Sequence, residues 1–241
     1  MPLPQAILFD LDDTIITEGE RYPILVQVAS EFQEFLPGLD PIAVADRLEA
    51  ALASYWADPE QARETRLRAN GGIRQARHRI VTETFQSFGI ADAAGLAGIF
   101  SSRFTELRAI GAREFDGARH TLETLRNTGV KLALVTNGAA EIQRAKLERF
   151  SLAALFDHIQ IEGEHAFGKP DPRAYRLALE ALGAQPATTW MVGDNLEWEV
   201  AAPQRLGIFA IWHDHLGRGL PPDATVRPDR IIRQLPELLS A

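Results

Sequence analysis

Cysteine is absent from the 241-residue chain. That excludes disulfides, thiolate metal sites and thiol chemistry, and leaves a hard metal on carboxylates as an open option. Lysine is nearly as scarce, since Lys131, Lys146 and Lys169 are the whole complement and the other basic side chains are Arg. No apolar run is long enough to span a bilayer. Met1-Pro2-Leu3-Pro4 passes directly into a short apolar run ending at Asp10, without the basic region or longer apolar stretch of a signal peptide. A cytoplasmic protein with no membrane partner is expected. Positive charge is also in deficit: the net charge is −8, with the acids spread along the chain, which argues against nucleic acid as a partner. Internal repeats and low-complexity segments are missing.

What remains is the profile of an ordinary globular protein, 46% apolar and 24% charged. The length suits one large domain or a core carrying an inserted smaller one. Four short apolar runs have the length and flanks of strands buried on both faces: Ala6 to Phe9, Leu132 to Val135, Thr189 to Val192 and Ile208 to Trp212. They predict one parallel sheet. Helix-length segments such as Gly117 to Asn127 and Pro172 to Leu182 lie between them, the second with Asp171 as N-cap and Gly183 past its end.

From about residue 20 to 112 the periodicity is helical and no convincing strand occurs. Leu25, Val28, Ala29, Phe32 and Phe35 or Leu36 recur on one helix face, as do Ala45, Leu48, Leu52 and Tyr55. Asp40-Pro41 and Asp58-Pro59 are helix starts, and further helices are predicted over Arg74 to Phe88 and Ala93 to Ile110. Asn70-Gly71-Gly72 and Gly89 separate them, giving a bundle of about four helices. The predicted architecture is α/β: a Rossmann-like parallel-sheet core from 1–18 and 113–241, with a helical-bundle domain inserted at 19–112.

Chemistry gathers where the predicted strands end. Asp10, Asp12 and Asp13 follow the first strand, at the place where open α/β sheets put their ligands, and read alone they are also compatible with a solvated acidic turn. Thr136-Asn137-Gly138 follows the second, and is equally ordinary turn chemistry. Lys169 stands just ahead of a helix N-terminus, where its ammonium can join main-chain N–H groups in holding an anion. Gly193-Asp194 follows a third strand, and Asp194 could also simply cap the next helix. Glu197 and Glu199 lie beyond it, and Pro203 falls inside the expected helix, which it should kink.

Taken in order, these four features resemble the motifs of the haloacid dehalogenase superfamily: Asp-x-Asp-x-Thr after the first strand, Thr or Ser after the second, a lysine, and an acidic Gly-Asp. The helical insert is similar to the cap domain of one large branch of it. The resemblance implies a hydrolase of small phosphate monoesters that uses Mg²⁺. Asp10 would be the nucleophile and Asp12 the general acid and base. Thr136 and Asn137 would bind phosphate oxygens, and Lys169 would stabilise their charge and position Asp10. The metal would be held by the side chains of Asp10 and Asp194 and the main-chain carbonyl of Asp12. Glu199 stands where such phosphatases commonly carry Asp, so a metal role for it is open.

The same resemblance leaves a phosphomutase and a dehalogenase as alternatives. The acid at Asp12 disfavours the latter, since a halide leaving group needs no proton. Outside catalysis, a phospho-acceptor signalling domain shares the acids, the Thr and the Lys-Pro. It is about half this length, lacks a helical insert and carries its acceptor Asp on a later strand. Tyr22, Tyr55, Trp56, Arg66, Arg74, Arg77 and His78 are candidates for contacting the substrate's leaving portion, and Asn70-Gly71-Gly72 for a loop facing the site.

Overall fold

The computed structural model describes residues 2–56, 58–67, 72–165 and 167–240. The chain divides into two compact units, Met1–Thr17 with Arg113–Ala241, and Glu18–Ala112. Of the expectations above, the Arg66 side chain, Asn70 and Gly71 lie outside the described residues.

In the first unit the strands are β1 (Ala6–Phe9), β2 (Ile16–Thr17), β3 (Arg113–Glu114), β4 (Lys131–Thr136), β5 (His158–Ile161), β6 (Thr189–Gly193), β7 (Phe209–His213) and β8 (Arg230–Ile232). Six of them form one sheet in the order β5-β4-β1-β6-β7-β8, every pairing parallel. β2 and β3 make a separate antiparallel ribbon. The four strands expected from apolar runs are the four inner ones. Side-chain alternation divides their residues between two cores. Ile7, Phe9, Leu132, Leu134, Trp190 and Val192 pack on one side with Leu122 and Leu125. Leu8, Ala133, Val135 and Met191 pack on the other with Ala174, Tyr175, Ala178 and Leu179. Both faces are therefore covered, which is why these strands read as continuous apolar runs.

β5 and β8 carry no apolar run of the kind that marks the inner four. They are the edges of the sheet, and His-Ile-Gln-Ile and Arg-Ile-Ile carry polar residues that an edge tolerates.

The second unit holds α1 (Arg21–Glu31), α2 (Pro41–Trp56), α3 (Pro59–Leu67), α4 (Gly72–Ser87) and α5 (Ala93–Gly111). There are five helices among the described residues where a bundle of about four was expected, and α2 and α3 begin at the anticipated starts Asp40-Pro41 and Asp58-Pro59. Leu25, Val28, Ala29 and Phe32 from α1 and its C-cap meet Ala45, Leu48 and Leu52 of α2 as anticipated, with Val44 added and Tyr55 only half-buried against them. Leu36, not Phe35, completes the first stripe, since Leu36 is 1% exposed and Phe35 59%. Phe100 of α5 packs edge-on against Phe32 and Phe85, with ring centroids 5.2 and 5.4 Å away. No helix among the described residues is long and apolar enough to cross a membrane.

The first unit's helices are α6 (Ala118–Asn127), α7 (Ala140–Arg149) and α8 (Pro172–Leu182), besides a three-residue turn at Ala202–Gln204. α8 has the boundaries and caps its sequence announced: the Asp171 side chain accepts the Arg173 N–H, and Gly183 takes the left-handed conformation at φ 60°. The segment around Pro203 solves its difficulty differently from the expected kink. Leu196–Ala201 winds as a wide π-type turn, leading into the short turn that contains the proline. Pro203 thereby stands in the first turn of the short Ala202–Gln204 segment, where a missing N–H is tolerated.

Candidate active site

The parallel register sets Phe9 beside Leu134 of β4 and Val192 of β6. The Asp10 N–H continues the ladder to the Val192 carbonyl at 3.0 Å, so Asp10 leaves β1 level with the ends of both neighbours. Thr136 is the last residue of β4, and Asp194 follows the last residue of β6. The chain runs outward from β1 to β4 and β5 on one side, then crosses back to β6 on the other side of β1, which is the kind of point where open α/β sheets form a crevice.

Lys169 is the centre of the buried charge. Its Nζ donates to Asp10 Oδ1 at 2.6 Å and pairs with Glu199 Oε1 at 2.7 Å, while the Lys169 and Glu199 side chains are each 1% exposed. Two carboxylates thus share one ammonium. Burial alone would weaken the proton affinity of Lys169, but Asp10 and Glu199 outweigh it and hold the lysine above its ordinary range. Each acid, having only half a counter-ion, moves the other way. Burial raises Asp10, with Lys169 opposing and Asp12 adding to the rise. Burial pushes Glu199 up to about 7 against the pull of Lys169. Asp10 Oδ2 accepts a further hydrogen bond from the buried hydroxyl of Thr14 at 3.2 Å.

Asn137 fixes the lysine's main chain. Its Nδ2 donates to the Lys169 carbonyl at 2.6 Å, and its Oδ1 accepts the Lys169 N–H at 2.9 Å. Both ends of the amide are engaged with Lys169, one N–H of the Asn137 amide remaining beyond these two bonds. Gly168 makes the clamp possible, because a Cβ there would lie 2.6 Å from Asn137 Oδ1. Glu162, 1% exposed, closes the same loop by accepting the Gly138 N–H at 3.1 Å.

Asp12 is held by α7, which supplies two residues that the sequence reading did not single out for the site. Lys146 Nζ reaches Asp12 Oδ1 at 2.7 Å, and Gln143 Nε2 reaches Asp12 Oδ2 at 2.9 Å. Gln143 also donates to Thr136 Oγ1 at 2.6 Å, linking the first and second motifs. Their spacing of three puts the two residues on one helix face. The available signal was the rarity of lysine.

Asp194 sits where burial, Glu199, Asp10 and Asp13 all raise its proton affinity and Lys169 opposes them. Its carbonyl accepts the Trp212 indole N–H at 2.6 Å. Asn195 caps the following turn, its side chain accepting from Glu197 and Trp198 N–H groups at 3.0 Å each, and its own N–H goes to Glu199 Oε2 at 2.8 Å. Glu199 is therefore engaged with Lys169 and this turn. Gly193 has no alternative, since a Cβ there would lie 2.0 Å from Glu199 Cγ. Gly193→Ala is expected to displace Glu199 and destabilise the protein by about 1–3 kcal/mol, the usual cost of overpacking. Thermal melting would measure it, and an unchanged midpoint would contradict the close approach.

Asp10, Asp12, Thr136, Asn137, Lys169 and Asp194 are thus drawn together by contacts or mutual electrostatic influence, although sequence separates the first and last widely. Comparison with known proteins agrees with the motifs. The profile of haloacid dehalogenase-like hydrolases matches residues 4–207. A phosphoserine phosphatase of Thermus thermophilus is 34% identical over 246 residues, covering 100% of this chain and 93% of its own. An N-acylneuraminate-9-phosphatase of Rattus norvegicus is 28% identical, covering 97% and 92%. In fold, the chain is similar to the HAD-hydrolase YfnB of Bacillus subtilis, solved bound to magnesium, with a TM-score of 0.73 at 21% identity, covering 98% of this chain and 97% of that one. The chain belongs to the haloacid dehalogenase-like hydrolases and is an enzyme of their phosphatase branch.

Proposed function

We propose that the protein hydrolyses small phosphate monoesters through an aspartyl-phosphate on Asp10. The observation that carries this reading is the Asp10 carboxylate itself, buried at the end of β1 with Lys169 on one oxygen and Thr14 on the other. A nucleophile fixed from both sides meets the main demand of phosphoryl transfer, which is positioning. Asp10 attacks phosphorus, the ester P–O bond breaks, and the leaving alkoxide takes the proton of Asp12. In the second half, Asp12 as carboxylate takes a proton from water, the water oxygen attacks phosphorus, and phosphate leaves with Asp10 regenerated.

Thr136 serves a phosphoryl oxygen. Its Oγ1 lone pair is filled by Gln143, and its proton is committed only to a long 3.4 Å bond with the Asn137 carbonyl. Gln143 and Lys146 aim Asp12, and Asn137 keeps Lys169 in place.

A hard divalent cation fits the donors present. Asp10, Asp194 and Glu199 set three buried or half-buried carboxylates against the ammonium of Lys169. Like charges at contact distance cost about 4 kcal/mol at an effective dielectric of roughly 20. Mg²⁺ held by the Asp10 and Asp194 side chains and the Asp12 carbonyl would offset that charge and the charge on the phosphoryl oxygens. Glu199 is left to Lys169.

The helical unit, Glu18–Ala112, is proposed as the cap that supplies contacts to the leaving portion. The relatives' different substrates accord with a leaving group chosen by such a variable part. Phosphate release from an aryl phosphate and a panel of small esters tests the reading. Chelation is expected to abolish turnover and added Mg²⁺ to restore it, whereas full activity in chelator would contradict the metal role. Asp12→Asn is expected to slow release by at least about 10²-fold, since positioned acid–base catalysis contributes 10²–10⁴. An unimpaired variant would remove Asp12 from the proton transfers.

A further inference from the structure

A second group of donors shares Asp194 with this site and adds two residues, Asp13 and His215, that the reaction above does not use. Carboxylate oxygens of Asp13 and Asp194 and a ring nitrogen of His215 all lie within 4.8 Å of one another, and each residue is half-buried. Asp13 comes from the loop after β1, Asp194 from the end of β6, and His215 from just beyond β7, the strand that pairs with β6. Donors on opposite sides of an ion with bonds of about 2.1 Å are separated by about 4.2 Å, and adjacent ones by about 3.0 Å. The observed spacing is thus within a modest side-chain adjustment of a coordination sphere.

The residues that carry these donors are fixed by neighbours, Asp13 through its side chain and Asp194 through its main chain. Asp13 takes the left-handed conformation at φ 54°. Its carboxylate accepts the Thr17 hydroxyl at 3.0 Å and its carbonyl accepts His213 Nδ1 at 3.1 Å. The Asp194 carbonyl is anchored by Trp212, as described. His215 packs against Phe115 and His213, with ring centroids 5.2 and 5.6 Å away. It follows Asp214, whose carboxylate accepts the N–H groups of Arg218 at 3.0 Å and Gly219 at 2.8 Å, fixing the loop. Support of this kind orients ligands toward a metal while leaving room for the small side-chain shift that coordination requires.

Charge points the same way. Asp10, Asp13 and Glu199 all act on Asp194 as like charges, with Lys169 the cation that opposes them. One dication leaves such a group with negative charge still in excess, before any phosphate enters.

We propose that Asp13, Asp194 and His215 form a second divalent-cation site, with Asp194 giving one oxygen to each of two ions. Imidazole beside two carboxylates favours a first-row transition ion, of the Mn²⁺, Co²⁺ or Zn²⁺ kind, over Mg²⁺, which prefers oxygen alone. A shared carboxylate suits ions roughly 3.5–4 Å apart, the spacing of two-metal sites. The proposal goes beyond the phosphatase reading, which does not use Asp13 or His215.

The test is Mn²⁺ binding to the metal-free 241-residue chain, followed by equilibrium dialysis and by pulsed electron paramagnetic resonance for coupling to a ligand nitrogen. Wild-type protein is expected to bind two Mn²⁺, with imidazole nitrogen coupling. His215→Ala and His215→Leu are expected to lose the coupling and one equivalent while keeping the other, which itself shows that they fold. A single ion bound by the wild type, bound Mn²⁺ without nitrogen coupling, or a coupling that survives both substitutions would each overturn the proposal.

Discussion

Asp10→Asn is expected to reduce phosphate release by at least about 10⁴-fold while leaving the fold intact. The rate follows from the chemistry: an amide cannot form the acyl phosphate, and removing a covalent nucleophile costs on the order of 10⁴ to 10⁶ in kcat, or more than about 5 kcal/mol of transition-state stabilisation. Stability should respond in the opposite sense to an ordinary core substitution. Asp10 and Glu199 together give Lys169 one negative charge too many in a buried place. Neutralising Asp10 leaves a balanced Lys169–Glu199 pair, so the melting temperature should stay level or rise. Phosphate-release assays and a thermal melt check the two halves. A variant retaining a tenth of the activity would move the nucleophile elsewhere.

Lys169→Met is expected to lose both activity and stability. Removing one partner of a buried ion pair costs about 3–5 kcal/mol, because the other charge is left without compensation. Here Asp10 and Glu199 are both stranded. At about 2–4 °C per kcal/mol for a chain of this size, the melting temperature should fall by roughly 6–20 °C. The loss should depend on pH. In the variant the folded-state acids hold protons more tightly than in the unfolded chain, where they titrate near about 4. Such groups are tolerated below the unfolded value and become costly as pH rises through the folded one. Glu199 is already raised to about 7 with the lysine present. The gap between wild type and variant should therefore narrow as pH falls from about 7 toward 4. Adding Glu199→Gln should recover part of the stability and none of the activity. A gap independent of pH would mean that Lys169 contributes by packing.

The inner sheet was legible because burial on both faces writes itself as an unbroken apolar run, as in Ala6–Phe9 and Thr189–Gly193. The punctuation of α8 by Asp171, Pro172 and Gly183 was equally explicit. What was hidden depends on contacts that periodicity does not encode. α7 buries Gln143, a polar residue that blurs the apolar stripe by which a helix is recognised, and its role becomes visible only when Thr136 and Asp12 arrive from other strands. Asn137 shows a polar amide in the sequence, but its clamp on the Lys169 main chain becomes visible only when the loop after β5 is folded beside β4. Glu199 and Gly193 form a similar pair: six residues apart, they are matched so closely that a methyl group would not fit between them.

Phosphoryl transfer onto a carboxylate leaves a chemical mark, and Asp12→Asn is the variant in which that mark should persist. Acid-quenched Asp12→Asn protein, mixed with a small phosphate ester and Mg²⁺, can be digested and weighed by mass spectrometry. The expected result is one phosphoryl group on the peptide containing Asp10, absent when Asp10→Asn is added. Turnover by an enzyme in which Asp10 never carries phosphate, or label found on another residue, would contradict it.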